Sequence, residues 1–201
     1  MAHGGLQAAE GGKMRVVLVG HSYVRRLGEY MTSSPELADL GLRDADVKCV
    51  AVAGATLGPH HKPISNHLQA VKDLDPFAIF VHMGENDLGH MSDGQIKFEL
   101  KSLVEKLSSL CHSRVVIVGQ LVPWPRSRDS QRVNHLNGAL CEQFAPGTTV
   151  FWNHESSLSR SCPELFLPDG VHLNDAGMHR YWRSVRTVVG RVLRHNHPSY
   201  H

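Results

Sequence analysis

The chain has 201 residues, 41% of them hydrophobic and 20% charged, with a formal net charge of +2 when its 15 histidines are neutral. That length suits one domain with a full core, and the near-balanced charge sets up no field that favours nucleic acid or a membrane surface. No apolar run approaches the ~18 residues that a membrane span needs.

The opening stretch, MAHGGLQAAEGGK, lacks the apolar core of a signal peptide. Residues 1–13 therefore read as a disordered leader, and the protein as intracellular, in the cytoplasm. The first apolar run covers residues 15–19 and turns at Gly20 into a helical pattern. Further runs follow at 47–52, 78–83, 115–120 and 149–152, each short and rich in Val, Ile or Phe, as strands buried on both faces are. Between the third and fourth lies a helical stripe, Ile96, Leu100, Leu103, Leu107 and Leu110, with Ser92 or Asp93 in place to cap it. Pro123 and Pro125 make a loop after the fourth strand. A last helix repeats the pattern with Met178, Trp182, Val185, Val189 and Val192. Residues 196–201 read as a frayed tail, so one domain spans 14–195. Strand and helix alternating five times predicts an α/β fold, a parallel sheet with helices on both faces.

The four cysteines, Cys49, Cys111, Cys141 and Cys162, form no CxxC pair, which argues against a zinc ribbon and for free thiols. The histidines offer no metal centre either. Neither His60 with His61 nor His82 with His90 makes a tight HxxxH pair beside a carboxylate, and His195, His197 and His201 fall near the end of the chain. No cofactor and no metal is expected.

In a parallel sheet of this kind, ligands bind beyond the carboxyl ends of the strands. Gly20-His21-Ser22 follows the first strand, Ala53-Gly54-Ala55-Thr56 the second, Gly84-Glu85-Asn86-Asp87 the third and Val122-Pro123-Trp124-Pro125-Arg126 the fourth, while Asp169-Gly170-Val171-His172 precedes the last helix. These are the parts of an acyl-transfer site. Ser22 can serve as nucleophile, His172 as general base and Asp169 as the group that orients the imidazole, since a triad is defined by geometry and not by chain order. The backbone N–H of Ser22, the backbone N–H of Gly54 and the amide of Asn86 can make the oxyanion hole. Asp169 and His172, three residues apart in a tight loop, can hydrogen-bond through Nδ1 and leave Nε2 for Ser22.

The blocks GHSYVRRL, the glycine of AVAGATL, GEND and DGVHLN resemble, in order, the four blocks of the SGNH (GDSL-type) hydrolases, and they span residues 20 to 174. The resemblance implies a flavodoxin-like three-layer α/β/α sandwich with a five-stranded parallel sheet in the order 2-1-3-4-5. It also implies metal-free serine esterase chemistry, with Ser22 as nucleophile, Gly54 and Asn86 in the oxyanion hole, and Asp169 and His172 as acid and base. The chain departs from the pattern at position 21, where the usual Asp of Gly-Asp-Ser is His21. His21 as the base itself is disfavoured, because adjacent side chains on extended backbone point apart; protonated, it would favour an oxyanion or an acidic substrate. GHSYVRRL also resembles the SGNH domains of animal retroelement-encoded proteins.

Each site residue has a plainer reading. Ser22 alone reads as a helix N-cap. Asn86, Asp87 and Asp169-Gly170 read as turn residues, and Gly54 as a loop glycine. Asp87 is not placed in the catalytic set. Arg180, Arg183, Arg186, Arg191 and Arg194 read as a solvated face and weakly as a nucleic-acid stripe. Arg25 and Arg26 could steer acidic substrates, and Trp124 could wall the pocket or pack inward. Two functions follow. One is a serine esterase, such as a deacetylase of a small-molecule or lipid ester, with no obligatory nucleic acid; its rate should rise with pH through an apparent pKa of about 6 to 7. The other is a non-catalytic binding module of the same fold within a retroelement-type protein.

Overall fold

Val16, Val17, Leu18 and Val19 are all fully buried, because they form a strand with neighbours on both edges and helices on both faces. The structure is a computed structural model that describes residues 12–111, 113–125, 129–145, 149–154, 158 and 162–196. The stretch 1–11, Arg126, His197 and His201 lie outside the described residues. In chain order the elements are β1 (Met14–Gly20), α1 (Ser22–Thr32), β2 (Ala45–Ala51), α2 (Leu68–Asp73), β3 (Ala78–His82), α3 (Asp93–Cys111), β4 (Val115–Gly119), α4 (Ser130–Phe144), β5 (Thr149–Trp152) and α5 (Asp175–Asn196).

The five strands pair in parallel in the order β2-β1-β3-β4-β5, the expected order. Alternation along β1 divides the core in two. Val16 and Leu18 join a cluster with Leu27 of α1 and Val185 and Val189 of α5. Val17 and Val19 join a second cluster with Val71 of α2, Leu100 of α3 and Leu136 of α4. The result is a three-layer α/β/α sandwich. Among the described residues, no helix is long and apolar enough to cross a membrane.

The element ends differ slightly from expectation. β2, β3 and β4 stop one residue early, at Ala51, His82 and Gly119, so Val52, Met83 and Gln120 already belong to the loops that build the site. Ser92 caps α3 in a reciprocal box: Gln95 N–H donates to Ser92 Oγ at 3.3 Å and Ser92 N–H to Gln95 Oε1 at 2.8 Å. The stripe on α3 turns away from Leu110, which is 37% exposed, toward Val104 and Cys111, because 3.6 residues per turn rotate a strict four-three repeat off the core. All five apolar residues expected on α5 are buried, and Tyr181, Val188 and Leu193 join them. The arginines of α5 are exposed, but the guanidinium groups of Arg186 and Arg191 lie over the Trp182 and Trp152 rings at 5.6 and 5.2 Å, where packing on the protein's own aromatics occupies them. The helix runs to Asn196, one residue into the stretch expected to fray, and His195 Nδ1 lies 2.8 Å from Arg191 O. The four cysteines are free thiols.

The turn after β1 depends on Gly20. A Cβ there would meet Val24 Cγ2 at 2.4 Å and the His82 carbonyl oxygen at 2.7 Å, the second being backbone that cannot rotate away. Gly20→Ala is expected to destabilise the fold by about 1–3 kcal/mol in urea unfolding, as overpacking does. An unchanged midpoint would show that β1 and β3 can part at this level.

Candidate active site

The residues singled out after the strands gather at the carboxyl edge of the sheet. Ser22 is the first residue of α1 and half-buried. It is not the N-cap. That position belongs to His21, whose backbone is extended (φ −93°, ψ −150°) and whose Nδ1 accepts from Tyr23 N–H at 3.4 Å. A cap is fixed by whichever side chain turns back onto the second or third helical N–H, and here the imidazole does so. Ser22 Oγ is left without a hydrogen-bond partner among the described residues.

Asp169 and His172 meet as their spacing suggests. His172 Nδ1–H donates to Asp169 Oδ2 at 2.8 Å, and Asp169 Oδ1 accepts from the backbone N–H groups of Val171 and His172 at 2.8 and 2.9 Å. The turn is closed by Gly170 N–H to Leu167 O and by Leu167 N–H to His172 O. The backbone and ring N–H groups of His172, with the N–H of Val171, hold the Asp169 carboxyl well below the usual carboxylate range. It therefore stays an anion wherever an imidazole can act as base. His172 Nε2 makes no hydrogen bond to Ser22. What joins their segments is the residue beside each: Tyr23 Oη donates to Val171 O at 2.6 Å. Burial pushes the Tyr23 hydroxyl far above the ordinary phenol range, so it remains a donor.

The oxyanion candidates sit on the next two loops. Ala55 N–H to Val52 O closes the turn after β2, and Gly54 takes φ +75°, a region costly for any residue with a Cβ. Gly54 is exposed, and among the described residues its N–H has no acceptor. Asn86 Nδ2 donates one hydrogen to Ala55 O at 2.8 Å, which ties the third-strand loop to the second and leaves the other amide hydrogen available. Asp87, buried, accepts from Leu57 N–H at 3.0 Å and Gly58 N–H at 3.3 Å, so it braces the loop that carries Gly54. Burial raises its carboxyl above the usual range. Arg25 is taken up by a pair with Glu29 one turn along α1, and Trp124 packs against the cluster between the sheet and helices α1 and α5.

No family model matches this sequence, and no curated protein matches it. Solved structures do match. One is the acetyl xylan esterase AlAXEase, at TM-score 0.71 and 13% identity, covering 88% of this chain and all of that one. Another is a member of the lipolytic protein G-D-S-L family from Veillonella parvula, at TM-score 0.69 and 16% identity over 89% and 99%. A third is a carbohydrate esterase family 3 protein from Talaromyces cellulolyticus, at TM-score 0.66 and 15% identity over 90% and 98%. The chain has the fold of the GDSL-type esterases.

Beneath the surface of this GDSL-type fold lies a polar cluster to which the sequence reading gave no role. Glu85 is 1% exposed. Its Oε2 lies 2.8 Å from His21 Nε2, and its Oε1 lies 2.6 Å from His82 Nε2 and accepts from Val122 N–H at 2.9 Å. His82 Nδ1 is 2.8 Å from the Tyr181 hydroxyl. Burial works against the Glu85 anion, but the histidines beside it prevail, His82 foremost, and hold the carboxyl well below its ordinary range. His154 stacks on His82 at 5.5 Å, and burial pushes its imidazole down to about 3, so it is neutral. The available signal was His82 itself, the one ionisable residue in the run FAIFVHM. A polar side chain on a strand buried on both faces needs a partner, and the nearest carboxylate in sequence is Glu85.

Proposed function

We propose that the protein is a serine esterase that hydrolyses carboxylic esters. Ser22 is the nucleophile, His172 the general base and Asp169 the group that holds His172. The observation that carries the reading is the Asp169–His172 pair. Its hydrogen bond fixes the neutral imidazole with the proton on Nδ1 and leaves Nε2 as the basic nitrogen, in a loop bonded through Val171 to the residue next to Ser22. The 2.6–3.2 Å contact between base and nucleophile often closes only when substrate binds, and no protein group competes for Ser22 Oγ among the described residues. Attack by Oγ on the ester carbonyl transfers its proton to His172 Nε2. The N–H groups of Ser22 and Gly54 and the free hydrogen of the Asn86 amide receive the oxyanion. His172 then returns the proton to the departing alkoxide, and water repeats the cycle on the acyl-enzyme.

The names of the matched acetyl xylan and carbohydrate esterases support a short acyl group, such as acetyl, on a small-molecule alcohol; a lipid alcohol is the other substrate class the proposal admits. No cofactor takes part. His21 in place of the usual Asp favours a second reading, a binding module that has lost its chemistry, and GHSYVRRL alone supports its place in a retroelement-type protein. His21 caps α1 at Tyr23 N–H, a role the turn needs whether or not the site turns over.

Treatment with a fluorophosphonate probe, read as intact mass, tests the proposal. A single adduct is expected on the wild type and none on Ser22→Ala, with His172→Ala labelled at least 100-fold more slowly. A folded wild type that takes up no probe would overturn it in favour of the binding module.

A further inference from the structure

The buried group His21, His82 and Glu85 admits two accounts. Its ligand atoms all lie within 4.8 Å of one another, and among the described residues it is the one cluster compact enough to hold a metal ion. The distances favour protons. Two ligands of one tetrahedral zinc stand roughly 3.3 Å apart, given metal–ligand bonds of about 2.0–2.1 Å. Here Nε2 of His21 and of His82 stand 2.8 and 2.6 Å from the Glu85 oxygens, which is hydrogen-bond contact.

The bonds also say where the protons are. His21 Nδ1 accepts from Tyr23 N–H, so it carries no hydrogen; the ring is neutral, and its one proton is on Nε2, donated to Glu85. His82 is under no such restriction. Its Nδ1 faces a hydroxyl that can either donate or accept. A second proton on His82 breaks no bond: Nε2–H donates to Glu85 and Nδ1–H to Tyr181. An isolated carboxylate with 1% exposure is very costly, and His82 is the partner able to neutralise it. The other groups facing the cluster do not compete. Tyr23 and Tyr181 are held protonated by burial, and His154 is neutral.

Resting on the reading of Ser22 as nucleophile, we infer that Glu85 is a positioning residue for it. Held by His82 Nε2–H and Val122 N–H, the carboxylate fixes the Nε2–H tautomer of His21, and His21 can then cap α1 at Tyr23 N–H and hold the turn that presents Ser22. The carboxylate that the GDSL pattern places before the serine is supplied here from the loop after β3, through an imidazole.

An isosteric change discriminates. In Glu85→Gln, the amide oxygen must stay at the Oε1 position, because Val122 N–H needs an acceptor there. The amide NH₂ then faces His21 Nε2, which must give up its proton. His21 becomes Nδ1–H, and two donors oppose each other at Tyr23. In His21→Asn the cap is an amide oxygen whose acceptor role does not depend on a tautomer.

The experiment combines ring-nitrogen NMR of uniformly ¹⁵N-labelled protein with the second-order rate of fluorophosphonate labelling. Wild type is expected to show one histidine, absent from His21→Asn, with a bare Nδ1 and its proton on Nε2. Glu85→Gln is expected to move the His21 proton to Nδ1 and to slow labelling about 10- to 100-fold, the scale of a misplacement near 1 Å. In the His21→Asn background the same change should cost less than about threefold, the non-additivity of a coupled pair. A wild-type His21 that is Nδ1–H or doubly protonated overturns the inference whatever Ser22 does. So does an unaltered labelling rate in Glu85→Gln, or stoichiometric zinc whose chelation makes the ring protons appear. A wild type with the expected ring protons but no labelling would overturn the nucleophile, and with it the positioning role, while leaving the cap in place.

Discussion

Replacing Asp169 by asparagine is expected to lower kcat for a short-chain aryl ester by about 10⁴-fold, the cost of holding a catalytic imidazole in the wrong tautomer. The loop itself dictates how the amide sits. Oδ1 of Asp169 receives two backbone N–H groups, from Val171 and His172. The asparagine oxygen must take that place, since the NH₂ group there would oppose both donors. The NH₂ then faces His172 Nδ1, where the aspartate had accepted. His172 must carry its proton on Nε2 and cannot take one from Ser22. Because both backbone bonds survive, the turn should keep its shape, so KM should change little and thermal unfolding by no more than a few degrees. Steady-state kinetics beside a melting curve check this. A fall of less than tenfold would mean that Asp169 only shapes the turn, the plain turn reading of Asp169-Gly170. The pH profile gives a second check. Asp169 is held ionised far into acid by its three N–H donors, so it should add no step of its own to the rate between pH 4 and 8. A second acid limb there would count against those bonds.

Asp169 and Glu85 then do related work in two separate loops that Tyr23 connects. Each fixes the tautomer of a histidine, and they fix opposite ones. Asp169 holds the proton of His172 on Nδ1, so that Nε2 is free to act as base. Glu85 holds the proton of His21 on Nε2, so that Nδ1 is free to cap the helix that begins with Ser22. Tyr23 connects the two systems, with its N–H on His21 and its hydroxyl on Val171. A histidine in place of the usual Asp before the serine is therefore consistent with chemistry, provided a carboxylate stands behind it.

Much of this arrangement was legible in the sequence, for a local reason. The runs at 15–19, 78–83 and 115–120 are short, apolar on both faces and rich in Val, Ile or Phe, as strands inside a parallel sheet are, and in such a sheet the chemistry lies at the strand ends. The Asp169–His172 contact was legible because three residues in a tight loop decide it. What escaped was long-range. Glu85 stood in view at the end of β3, but its partner His21 is 64 residues away and Tyr181 is 99 residues from His82, and no local spacing reports such pairs. Ser22 was read as a possible cap because serine caps are common; His21 took the position because Glu85 settled which of its nitrogens was free to accept. On α3, Leu110 was placed inside by counting, while the rotation of the helix gave that place to Cys111.

Removing the Glu85 carboxylate altogether, in Glu85→Ala, is expected to destabilise the protein by about 3–5 kcal/mol, the usual cost of breaking a buried ion pair from one side. Three donors lose their acceptor at once: His21 Nε2–H, His82 Nε2–H and Val122 N–H. None can turn to solvent, since His21, His82 and Val122 are 2%, 0% and 1% exposed. At roughly 2–4 °C per kcal/mol for a domain of this size, the midpoint should drop by about 6–20 °C. The effect must also depend on pH, with a definite sign. The folded Glu85 pKa lies below its unfolded value of about 4.3, so the stabilisation is present above that value and is lost as pH falls through the folded one. The gap between wild type and Glu85→Ala should therefore be full at pH 7 and narrow below about pH 4. Denaturant unfolding at pH 7 and pH 3 measures both. A gap that stays constant would mean that the Glu85 pKa is the same folded and unfolded, and a gap that widens toward pH 3 would mean that the carboxyl is already protonated in the native protein at pH 7. With Oε1 taken by Val122 N–H, that proton would sit on Oε2 and donate to His21 Nε2, and the tautomer that caps α1 would be reversed.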